Sequence, residues 1–60
     1  MMTDVQLEEL ARELLREMSF LWSVGHGGEP PRLQSRPEFV VCAKGFLARA
    51  VVMATEKEER

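Results

Sequence analysis

Two residues in this 60-residue chain invite a chemical reading, the single histidine His26 and the single cysteine Cys42. A reactive thiol needs a nearby base or a helix N-terminus to hold it as thiolate. Cys42 instead sits in Val40-Val41-Cys42-Ala43, well inside an apolar helical stretch, and reads as a small buried hydrophobe. His26 lies in the glycine-rich run Gly25-His26-Gly27-Gly28. There it can cap a helix C-terminus, stand in solvent or act as a lone base. General acid–base catalysis needs a second titratable group at a defined position, and none stands at a recognisable spacing. The glycine run follows a helical pattern rather than a strand and no Lys-Ser or Lys-Thr comes after it, so it does not match a phosphate-binding loop. One cysteine excludes an internal disulfide, and one histidine leaves few metal ligands. No catalytic, metal or cofactor site is assigned, no small-molecule substrate is expected, and the chain reads as non-enzymatic.

Charge narrows the partners. Ten acidic and eight basic residues leave a net charge of −2. A nucleic-acid surface normally carries a basic stripe, because counterion release drives that affinity. The residues between Asp4 and Val24 carry −3 and those between Ser35 and Ala54 carry +2. The chain starts polar and acidic (Thr3, Asp4, Glu8, Glu9), the reverse of the basic start of a signal peptide. Its longest apolar stretches are broken by Lys44, Gly45 and Arg49, short of the ~20 residues that span a bilayer. A cytoplasmic location is expected.

The elements that would position these residues are two helices in a single helical-hairpin domain, residues 1–60. Thr3 and Gln6 stand at capping-box spacing, with Met2 and Leu7 placed as a hydrophobic staple. Leu7, Leu10, Ala11, Leu14, Met18 and Leu21 then recur at helical spacing, widened by Leu15 and Trp22, opposite Glu8, Glu9, Arg12, Glu13 and Arg16. A helix over 4–24 is predicted, with Gly25 as its left-handed stop. A loop over 25–35 carries Pro30-Pro31. A second helix over 36–57 is expected to start at a capping box of Ser35 and Glu38, with Pro37 in its first turn, and to fray through 58–60. The two helices have similar lengths and should pack antiparallel.

Helix two is apolar nearly all round. Phe39, Ala43, Phe46, Ala50 and Met53 form one stripe, Val40, Leu47, Val51 and Ala54 a second, and Val41, Ala48 and Val52 lie nearly opposite. Such a helix is covered on more than one side. A 60-residue chain buries only about 60% of its unfolded surface, so association is the expected remedy. The expected architecture is all-α, a hairpin assembling as a homodimeric four-helix bundle. Its oligomer interface would draw on Phe39, Val40, Val41, Ala43, Phe46, Leu47, Ala48, Ala50, Val51 and Val52, and a charge at Val41 or Ala48 should break it. Phe20, Trp22, Val24 and His26, at the end of helix one, are expected contacts to a further partner, since aromatic anchors there suit recognition. The expected function is a small protein–protein interaction module, a dimeric regulator or inhibitor of another protein. The alternatives are a chaperone-like or accessory subunit that buries helix two in a hetero-oligomer, and a DNA-binding transcriptional regulator.

Overall fold

The structure, a computed structural model, describes residues 2–58. Helix α1 spans Asp4–His26, a short 3-10 turn covers Leu33–Ser35, and helix α2 spans Pro37–Glu58. The helices pack antiparallel as a hairpin. Helix α2 is still regular at Glu58, and the expected fraying of 59–60 lies outside the described residues.

Helix α1 starts where its capping box dictates. Thr3 Oγ1 accepts the Gln6 amide at 3.1 Å, and Gln6 Oε1 accepts the Thr3 amide at 2.9 Å. Two of the four otherwise unpaired amides of the first turn region are thereby satisfied. The helix ends two residues later than its first glycine suggested. Gly25 continues the helix, and the stop falls at Gly27, whose φ is +77° and whose amide donates to the Ser23 carbonyl at 2.7 Å. Ser23 Oγ also donates to the Gly28 carbonyl at 2.6 Å, which holds the chain as it leaves the helix. A glycine inside a helix only costs entropy; a glycine at positive φ is required. The two positions should therefore respond to alanine with opposite sign. Gly25→Ala, with open space around it, is expected to raise stability by about 0.5–1 kcal/mol. Gly27→Ala is expected to lower it by about 1 kcal/mol or more, and urea denaturation of the two variants checks both signs.

The second helix also starts differently from the expected capping box. Arg36, not Ser35, is the flanking residue: its carbonyl accepts from the amides of Phe39 and Val40, both at 3.1 Å. Pro37 takes the first helical position, where its missing N–H costs nothing. Ser35 is drawn instead into the 3-10 turn, its amide donating to the Arg32 carbonyl at 3.0 Å. That turn is anchored by Ser19, which is only 2% exposed. Ser19 Oγ donates to the Leu15 carbonyl at 2.8 Å and accepts from the Leu33 amide at 3.3 Å. A buried hydroxyl with both roles filled avoids a desolvation penalty and fixes where the loop returns.

The interior is small. Ala11, Leu15, Val40 and Ala43 are its buried hydrophobics, with Leu14, Leu33 and Leu47 partly buried against them. Small side chains at Ala11, Ser19 and Ala43 line the crossing and leave Leu15 and Val40 as its bulk. Asp4 and Lys44 tie the two helices with an ion pair of 2.9 Å; with Asp4 largely exposed it is worth little on its own. At about 1.5 Å per residue α1 is roughly 35 Å long, yet the molecule extends over 46 Å. The helices are therefore offset lengthwise by about two turns. The last turns of α1 run past the start of α2, and the last turns of α2 run past the start of α1.

Candidate interaction surface

Each helix carries two apolar lines about a quarter turn apart at 100° per residue. On α1 the line through Ala11, Leu15 and Ser19 faces α2, and all three are buried. The bulkier line through Leu7, Leu10, Leu14, Met18 and Leu21 is turned aside, with Leu10, Met18 and Leu21 exposed. On α2 the inward line is Val40, Ala43 and Leu47, while Phe39, Phe46 and Met53 stay exposed on the neighbouring line. Because the helices run antiparallel, both outward lines fall on the same side of the hairpin. Between them lies an open groove of about 460 Å³, lined by Leu14, Leu15, Met18, Phe39, Cys42, Ala43 and Phe46. No charged or polar side chain lines it.

The residues expected at an oligomer interface divide into three groups. Phe39 and Phe46 line the groove, and Ala50 follows them on the same helical line. Val40 and Ala43 are buried by α1, with Leu47 and Val51 half-buried, so these side chains serve the hairpin itself. Val41 and Val52 are exposed and Ala48 half-buried on the side of α2 away from the groove. Cys42 is exposed in the groove, not the buried filler its neighbours suggested, because the α2 line that meets α1 passes through Val40 and Ala43.

The four residues expected to contact a further partner form two pairs. Trp22 and His26 stack with ring centroids 4.3 Å apart and planes 13° from parallel. His26 Nδ1 lies 2.9 Å from the Trp22 carbonyl, a donor contact that serves the last turn of α1. Phe20 and Val24, 64% and 68% exposed, lie on the other side of α1. A surface could meet either pair without meeting the other.

Leu10, Met18 and Leu21 belong to the exposed face although periodicity alone places them against helix two. Ser19 has a single signal in the sequence, the spacing Ala11-Leu15-Ser19, a second line beside the more apolar one. The outer face of α1 is charged, with Arg12 and Glu8 paired at 3.6 Å, and Arg36 and Glu38 pair at 3.8 Å near the start of α2. Among the described residues no cluster of three or more His, Cys, Asp or Glu is placed to hold a metal ion, and no helix is long and apolar enough to cross a membrane. Fold and surface define an all-α helical hairpin with an unpartnered apolar face. No protein-family profile matches the chain, and no curated protein or solved structure is significantly similar to it.

Proposed function

We propose that this chain is a protein–protein interaction module without enzymatic activity, a dimeric regulator or inhibitor that acts by binding another protein. One observation carries the reading: the bulkiest apolar line of each helix lies outside the hairpin, on one shared face, while among the described residues the interior holds four buried hydrophobics. The accessible surface of 5122 Å² is roughly 1,000 Å² above that of a compact monomer of 6.9 kDa. A stable interface takes about 800 Å² from each partner, so the excess is of the size that association removes. Exposed apolar patches of this extent mark binding surfaces. The net charge of −2 gives direct DNA contact no support.

Size-exclusion chromatography with light scattering at micromolar concentration tests the association. A mass above that of one chain is expected, and a well-folded monomer would overturn the reading. A chain that is molten when purified alone would favour the accessory-subunit alternative, in which a different protein covers the groove. Binding of a target is tested by capture with the full chain against a Phe20→Ala/Val24→Ala variant, since these two residues lie outside the groove. A protein held by the first and released by the second is the expected result. Equal retention would remove Phe20 and Val24 from the contact.

A further inference from the structure

We infer that the groove is covered by a second copy of this chain, stacked groove to groove and end for end about a two-fold axis that crosses the hairpin between Leu14 and Cys42. The inference rests on the association proposed above and adds the occupant and the geometry. Its first support is the spacing of the bulkier, outward line of α1. Leu7, Leu10, Leu14, Met18 and Leu21 are separated by three, four, four and three positions, and so read alike in both directions. Two antiparallel helices related by a two-fold axis need such a seam, because an isologous contact presents one line to itself reversed. With Leu14 at the axis, Leu10 meets Met18 of the second copy and Leu7 meets its Leu21.

The second helix agrees with the same axis. Phe39 and Phe46 stand symmetrically about the Cys42–Ala43 step, so each phenyl ring of one copy faces the other ring of its mate. Leu14 and Cys42 line one groove, so both symmetry points lie on the same stretch of this face. The lengthwise offset of the helices gives the third support. Turning one copy end for end brings its projecting α1 end, with Leu21 and Trp22 exposed, to the projecting α2 end of the other, with Met53 exposed. Each overhang then lies at the same end of the assembly as the apolar overhang of the other copy, diagonally across from it. The surface excess of roughly 1,000 Å² per chain matches what one partner contributes to a stable dimer.

Cys42 makes the geometry testable without altering the chain. Facing helices pack about 8–10 Å apart between axes, so cysteines beside the two-fold axis come within the Cα separation of up to ~7 Å that a disulfide tolerates. Diamide supplies the oxidant: two thiols give up two protons and two electrons to it and become one disulfide. At micromolar protein, a covalent species of twice 6.9 kDa is expected on a non-reducing gel. It should be absent in Cys42→Ser and in denaturant. Cys42→Ser/Val41→Cys carries its thiol on the opposite side of α2, at a position 68% exposed, and should link at least tenfold more slowly. A two-fold axis running along the hairpin instead lays the acidic α1 over the basic α2 of the second copy and holds the two Cys42 a helix diameter apart. A dimer by light scattering whose Cys42 fails to link, or links no faster than the Val41 variant, overturns the inferred geometry and leaves the association standing. A well-folded monomer overturns both.

Discussion

Replacing Leu15 with alanine is expected to remove about half of the chain's folding stability at room temperature. Leu15 is the largest buried side chain of α1, 6% exposed, and it shares the interior with Ala11, Val40 and Ala43. Truncating a buried leucine costs about 2–5 kcal/mol, the lost transfer energy plus the cavity left behind. A domain of this length has on the order of 3–9 kcal/mol of stability in total. Its buried neighbours Ala11 and Ala43 are too small to fill the space themselves. Far-ultraviolet circular dichroism through a urea titration measures the loss. Leu15→Met, which keeps the volume, should cost less than about 1.5 kcal/mol. A Leu15→Ala midpoint within error of the unsubstituted chain would mean that the hairpin crossing is not where Ala11, Leu15 and Ser19 place it.

Local signals in the sequence carried the helices well and the packing less well. Thr3 and Gln6 form the hydrogen bonds their spacing predicts, since a capping box closes within one turn and depends on nothing distant. The offset of the helices and the side of each that turns inward depend on which small residues oppose each other across the crossing. Leu7, Leu10, Leu14, Met18 and Leu21 make the stronger apolar periodicity on α1, yet the α2 backbone approaches along Ala11, Leu15 and Ser19, where it can come close. Periodicity within one helix cannot rank two adjacent lines, because both are apolar and only their partner decides. The choice has a functional consequence: the bulkier line is left for a partner.

The loop shows the same limit from another side. Gly25 and Ser35 were each the first residue of a suitable type near a helix end, and neither ends or starts its helix. Gly25 accepts helical dihedrals, and the positive φ that a stop requires appears at Gly27. Ser35 is displaced because Leu33 is held to Ser19 through its amide and partly buried against the core. A contact fourteen residues apart therefore outweighs a local capping preference. The expected partner residues near this end suffer likewise: Trp22 and His26 are drawn together by stacking, and Phe20 and Val24 are left on the far side.

Phe46→Glu is expected to weaken self-association by about two to four orders of magnitude while leaving the hairpin crossing intact. Phe46 is 60% exposed in the single chain and lines the groove, so its ring belongs to the face that a second copy would cover. Burying a phenylalanine contributes about 1.5–3 kcal/mol, and a two-fold dimer loses that contribution twice. At about 1.4 kcal/mol per tenfold, the total corresponds to that range before any cost of burying the carboxylate. Glutamate is a good helix former, so α2 itself should tolerate the change. Val41→Asp, on the side away from the groove, should dimerise almost normally although that residue is 68% exposed and lies in the stretch most apolar by sequence. Light scattering over a dilution series reads both variants, and a dimer broken by Val41→Asp but not by Phe46→Glu would move the interface to the opposite face of α2. Thermal melts give an independent measure, because association stabilises the folded chain by mass action. The melting temperature of the unsubstituted chain should rise with concentration, and that of Phe46→Glu should stay flat over the same range.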